Sequence, residues 1–253
     1  LTEVNPGFHG RWDDLMTPRG LETYLRAEGV DYACILAEDS PITTGVVSNE
    51  YVANFCKGRE MFLPFASVNP NTVVKPASEL ERCVKDLAFK GLKLYPTYQQ
   101  YYPNDRRVYP LYAKAEELAI PVMIHTGSSV LKGARIKHGN PVCLDDVAVD
   151  FPDLRLVMVH SGRGLWYDEA FWLARQHKNV YMEIAGLPPQ NLLKYFPDLE
   201  RNADKVIFGS DWPFVGSIGR NIQAINGLPL DELTIAKILG LNAMRVLGIE
   251  ARK

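Results

Sequence analysis

The chain has few cysteines and no C-x-x-C pair. Cys34, Cys56, Cys83 and Cys143 are scattered. That spacing argues against a disulfide framework and reads as four reduced thiols, expected of a cytoplasmic protein. No apolar stretch reaches the roughly 18–20 residues that a membrane span requires, so no membrane partner is expected. There is no surplus of either charge: 28 Lys and Arg stand against 30 Asp and Glu, a formal charge of −2. This removes the basic footprint of a nucleic-acid partner and the acidic block of a disordered tail. No G-x-G-x-x-G follows the first apolar run, and no glycine-rich phosphate loop occurs, which weighs against a nucleotide-binding fold. The opening segment, "LTEVNPGFHGRW", is not a signal peptide; it lacks Met and begins inside a loop-like stretch. No Pro/Ser/Gly tract divides the chain, so residues 1–253 are read as a single domain.

What the sequence does contain is alternation. Short apolar runs are separated by longer amphipathic ones. The strands are "YACILA", "MFLPFASV", "GLKLYP", "PVMIHTG", "LRLVMVHSG", "NVYMEIAG" and "KVIFGSD". Between them lie helices such as "TPRGLETYLRAEG", with Thr17 as cap and Pro18 at the first turn, and "SELERCVKDLAFKG", whose Leu80, Cys83, Val84 and Leu87 form one stripe. "PQNLLKYFPDLERN" and "ELTIAKILGLNAMRVLG" are read as single helices, the latter capped by Asp231. Strands that are apolar on both faces belong to parallel sheets covered by helices. An open doubly wound sheet and a closed (β/α)₈ TIM barrel both fit. The length suits the barrel, and so does the gathering of polar residues at one end of the strands. An eighth strand is expected before Leu1, or in irregular form within the first ten residues.

Three strand ends carry chemistry. "VMIH" stops on His125, "VMVH" on His160 and "FGSD" on Asp211, each beside small residues that leave room for a ligand. One such histidine alone is commonly a hydrogen-bonded structural residue, and one such aspartate commonly caps a turn. Three at matching places in matching units point to a site. Two imidazoles and a carboxylate can hold a divalent metal, or can form an acid–base set working near neutral pH. Lys93 and Tyr95 end another strand. The amine suits a substrate carboxylate or a metal-bridging carbamate, against the plainer reading of a surface ion pair. Arg163 follows His160 closely and its fork suits a carboxylate, although loop arginines are usually solvated. Glu183 is a strand residue that points inward or serves an ion pair. His9, His138 and His177 read as structural or solvent-exposed.

At these residues the sequence resembles the amidohydrolase-related (amidohydrolase 2) family of metal-dependent TIM-barrel enzymes. The motifs are "GLKLYP", "PLYAKAEELAIPVMIHTG", "FPDLRLVMVHSGRG", "NVYMEIAG", "VIFGSDWP" and "KILGLNAMRVLGI", in order from Gly91 to Ile249. The resemblance implies a distorted eight-stranded barrel, with His125 and Asp211 as ligands of one divalent metal ion. Zinc is the first expectation, with manganese or iron as alternatives. It also implies His160 and Asp211 as catalytic groups, and a homodimer. The family's first strand carries His-x-His or a glutamate variant. Phe8-His9-Gly10 does not match it: either that strand lies upstream of Leu1, which the abrupt start favours, or the metal site of this member is altered. The main functional expectation is hydrolysis of a small, carboxylated amide, ester or lactone by metal-activated water, with Lys93 and Arg163 binding the substrate. The alternative is metal-dependent non-oxidative decarboxylation of an aromatic or enoic acid. A reading of another class is a catalytically silent barrel that binds a small ligand.

Overall fold

The seven apolar runs form one parallel sheet, in the order of the chain. The structure, a computed structural model, describes residues 10–214 and 216–250. The strands are β1 (Ala33–Leu36), β2 (Glu38–Ser40), β3 (Gly45–Val47), β4 (Phe62–Ala66), β5 (Gly91–Leu94), β6 (Val122–His125), β7 (Leu156–Val159), β8 (Val180–Glu183) and β9 (Val206–Ile207). The sheet runs β1-β4-β5-β6-β7-β8-β9, and every pairing in it is parallel. Consecutive strands with a crossover between each pair give the arrangement of a TIM barrel, seven of whose strands lie in the described residues. The eighth strand expected near Leu1 lies outside the described residues.

Alternation along each strand sorts the side chains. Leu92, Leu94, Val122, Ile124, Leu156, Met158, Val180 and Met182 are fully buried and belong to the main apolar core. Burying each contributes about 1.5–3 kcal/mol before the entropy of ordering is counted. The intervening positions form rows across the sheet. Lys93, Met123, Val157 and Tyr181 share one register, and His125, Val159, Glu183 and Ile207 share the next. The second row stands at the carboxyl ends of the strands, where barrel sites are built.

Most of the expected helices are present. Thr17 caps Pro18–Ala27, its hydroxyl accepting the Gly20 N–H at 3.0 Å. Pro76–Leu87 carries the expected stripe. Two single helices expected from the sequence are broken instead. The segment after Pro188 divides into Pro189–Asn191, Leu192–Tyr195 and Glu200–Lys205, because Pro197 cannot continue the helix that precedes it. The last helix is interrupted by a π turn over Lys237–Leu241, between Glu232–Ala236 and Asn242–Leu247. The hairpin β2–β3 and the helix Ile218–Asn226 were not expected from the sequence. Among the described residues no helix is long and apolar enough to cross a membrane. The four cysteines are unpaired.

Candidate active site

β6 and β7 deliver the two histidines to the same place. The rings of His125 and His160 meet edge to face with centroids 4.7 Å apart, and both residues are buried. His160 does not simply continue its strand. It and Ser161 take left-handed backbone angles, φ 66° and 46°, which are costly for residues other than glycine. Several hydrogen bonds hold this turn. The His160 main-chain N–H donates to Glu183 Oε2 at 3.1 Å, and Ser161 Oγ donates to the Glu183 carbonyl at 2.9 Å. The Gly162 N–H donates to Thr126 Oγ1 at 3.0 Å. His160 Nδ1 lies 2.8 Å from the Ala185 carbonyl. A carbonyl only accepts, so Nδ1 carries the proton and Nε2 keeps the lone pair when the ring is neutral.

Burial pushes both imidazoles well below the usual histidine range. The neighbouring His160, Lys93 and Arg163 add to the effect on His125, and Arg163 and Lys93 add to it on His160. Both rings are therefore neutral at pH 7. His125 also packs against Tyr98, with centroids 5.0 Å apart, and its Nε2 is buried without a hydrogen-bond partner.

Asp211 stands at the end of the β9 segment, again with a left-handed backbone, φ 57°. Its Oδ2 faces Arg163 Nη1 at 3.5 Å, and Arg163 Nη2 donates to the Ser128 carbonyl at 3.2 Å. Arg163 is thus anchored on the rim rather than solvated. Gly186, at φ 69°, makes room for it: a Cβ there would overlap the guanidinium. A recess of about 240 Å³ opens beside Gly186, walled by Leu187, Pro188, Pro189, Gly216 and Asn221. The Trp212–Pro213 bond is cis, and the Trp212 ring lies 6.0 Å from Trp12 and 5.7 Å from Tyr24.

Lys93 corrects the plainer sequence reading of a surface ion pair. It is buried in the row beneath His125, its Nζ has no hydrogen-bond partner, and it lies 4.6 Å from the Tyr95 ring centroid. Burial lowers its pKa to about 8, against the fields of Glu183, Asp211 and Glu38. Glu183 does point inward. Burial raises its carboxyl to about 7, with the His160 N–H and Lys93 opposing the rise and Asp211 adding to it. Glu38, at the start of the unexpected hairpin, belongs to the same charged group, and its carboxyl is also raised by burial. Sequence reasoning missed it because its polar neighbourhood, Glu-Asp-Ser-Pro, reads as a loop. His177 lies away from these residues and pairs with Asp145 at 2.7 Å. His138 is buried against Tyr102 rather than solvent-exposed. His9 is outside the described residues.

The rim thus brings His125, His160, Lys93, Glu183, Asp211 and Arg163 into one charged neighbourhood. Asp211 is turned to Arg163. Among the described residues no group of three or more His, Cys, Asp or Glu side chains stands close enough together to hold a metal ion. The observation that fits a cation is the His125 Nε2 lone pair, buried with no donor to accept.

A parallel sheet of barrel order, with imidazoles, a carboxylate and an arginine at its carboxyl-terminal strand ends, defines a TIM-barrel enzyme. The amidohydrolase family model matches residues 11–249, and the chain belongs to that family. The chain is 26% identical to a gamma-resorcylate decarboxylase of Rhizobium radiobacter over 94% of this chain and 86% of that protein. Among solved structures it superimposes on a TIM-barrel protein of Bordetella bronchiseptica whose function is not characterised. That match has a TM-score of 0.78 and 26% identity, and covers 91% of this chain and 82% of the other. A dihydroxybenzoic acid decarboxylase of Polaromonas sp. JS666, solved with manganese and the inhibitor 2-nitroresorcinol, matches with TM-score 0.68 and 20% identity over 91% and 85% of the two chains.

Proposed function

We propose that the protein is a metal-dependent decarboxylase that removes carbon dioxide, without oxidation, from a small aromatic or enoic acid. The observation that carries this reading is the likeness to the Rhizobium decarboxylase along nearly the whole chain. Decarboxylation therefore takes precedence over the hydrolysis expected from the sequence.

The chemistry required is simple to balance. The bond between the carboxylate carbon and its neighbour breaks, its electron pair stays on that neighbour and takes a proton, and carbon dioxide leaves. Arg163, anchored by the Ser128 carbonyl, and Lys93, whose ammonium lacks an acceptor, supply the positive charge that holds an acidic substrate. Asp211 carries the proton: its carboxyl is partly open to solvent, from which it can be reloaded. Neutral His160 offers Nε2 as an acceptor for a substrate hydroxyl proton while Ala185 fixes its ring. His125 and Asp211 would hold the divalent metal, zinc or manganese, which when bound supplies charge to orient the carboxylate and stabilise the electron pair left behind. The unpaired cysteines support a cytoplasmic setting.

The test is product analysis on protein supplied with manganese or zinc. Hydroxybenzoates and unsaturated carboxylic acids are offered alongside lactones and amides. Carbon dioxide release from the acids supports the proposal. New carboxylate from a lactone or amide, without carbon dioxide, restores the hydrolytic reading. No turnover together with no bound metal indicates a silent ligand-binding barrel.

A further inference from the structure

We infer that Glu183 is a positioning residue that fixes His160 and Asp211 relative to one another. The inference rests on the reading above only in taking those two residues to act together.

Glu183 closes β8, one strand from each of them. On one side its Oε2 accepts the main-chain N–H of His160 at 3.1 Å. That N–H belongs to a residue in the left-handed region, so the carboxylate holds a backbone conformation that residues other than glycine rarely adopt and that decides where the imidazole points. The same residue's carbonyl takes the Ser161 hydroxyl, and the carbonyl two residues on, at Ala185, takes His160 Nδ1. The end of β8 therefore grips the histidine by its backbone, its ring and its successor. On the other side the Glu183 carboxylate fills the space that a side chain at residue 209 would need: a Cβ on Gly209 would overlap Oε1 and lie 3.1 Å from the Ala185 Cβ. Gly209 precedes Asp211 by two residues, so the path of the chain into the aspartate is set against this carboxylate. Glu183 is buried, and its two oxygens serve two different neighbouring strand ends. An ordinary ion-pair partner would be replaceable by a change of rotamer; this side chain is wedged.

The glycine makes the idea testable without relying on one disruptive variant. Glu183→Ala removes the wedge. Gly209→Ala pushes it aside. Glu183→Gln keeps an oxygen able to accept the His160 N–H. Two readouts are used: kcat and KM on whichever acid the wild type decarboxylates, and the imidazole Nδ1–H resonance of His160 in ¹⁵N-labelled protein, assigned by its loss in His160→Gln. Glu183→Ala and Gly209→Ala are each expected to lower kcat about a hundredfold with KM within about threefold, the cost of a small misplacement. Both should also shift the His160 resonance. Glu183→Gln should recover most of the rate and the wild-type resonance. The double variant should be no slower than Glu183→Ala alone, because the clash needs the carboxylate. An unshifted resonance and unchanged kcat in Glu183→Ala overturn the inference, as do effects of the two single variants that add in full. A wild type that turns over no acid ends the decarboxylase reading, and the resonance then decides the role of Glu183 by itself.

Discussion

His125 and His160 meet edge to face at 4.7 Å, and each ring is held by a main-chain group, His160 at Ala185 and His125 at Ser128, while His125 Nε2 is buried and unmatched. A buried acceptor without a donor is costly. A cation at His125 relieves that cost. His125→Ala is therefore expected to reduce metal content, measured by elemental analysis after supplementation and desalting, more than His160→Ala does. Equal losses would reverse the assignment of the two rings.

Asp211→Asn tests the proton carrier. Asparagine tolerates the φ of 57° at this position, so the fold should survive, with an unchanged circular-dichroism spectrum. Turnover should fall by about a thousandfold, within the usual range for loss of a positioned acid or base. An active Asn variant would remove Asp211 from the proton path.

Gly186→Ala tests the seat of Arg163. A side chain here must displace the guanidinium and adopt φ 69°. The backbone strain alone should cost about 1–2 kcal/mol in denaturant unfolding. Displacing the arginine should raise KM for an acidic substrate about tenfold, if the arginine supplies binding that ground and transition states share. An unchanged KM would detach Arg163 from substrate recognition.

Lys93 gives a pH dependence with a definite sign. Its pKa falls from an ordinary 10.5 in the unfolded chain to about 8 in the folded one, because burial disfavours the ammonium. The folded state thus binds fewer protons between those values. Stability contributed by this group is complete above about pH 10.5 and is lost as pH falls through about 8. Glu183, Asp211 and Glu38 face the amine and hold its pKa up, and Arg163 pushes it down. Lys93→Met should abolish the rise in unfolding free energy between pH 8 and 10.5 and stabilise the protein at pH 7, by on the order of 3 kcal/mol. A parallel pH profile in the variant would refute the assignment.

The strand ends were the legible part of the site. His125, His160 and Asp211 each end a run that is apolar on both faces with a polar residue, a break visible from the sequence alone. The rows of the sheet were legible for the same reason, since each strand is too apolar to lie at a surface. Glu38 was not, because its strand is three residues long and its partner, Gly45–Val47, pairs among the described residues only with it. The helix Ile218–Asn226 carries a signal in its sequence: Ser217 before Ile218, Ile222 and Ile225, with the serine oxygen accepting the Arg220 N–H. The left-handed turn at His160 had no local signature. It is held by β8, a strand that follows twenty residues later in the chain.

Glu28, just past the helix Pro18–Ala27, accepts the Ser217 hydroxyl at 2.8 Å and the Gly219 N–H at 2.7 Å across 189 and 191 residues of sequence. The segment that bears Asp211 is thus buckled at its far side to the end of that helix, and the tilted contacts of the Trp212 ring with Trp12 and Tyr24 add a second fastening. Loosening the helix Pro18–Ala27 would slacken the aspartate first, so damage far from Asp211 in sequence would surface as a chemical defect beside it.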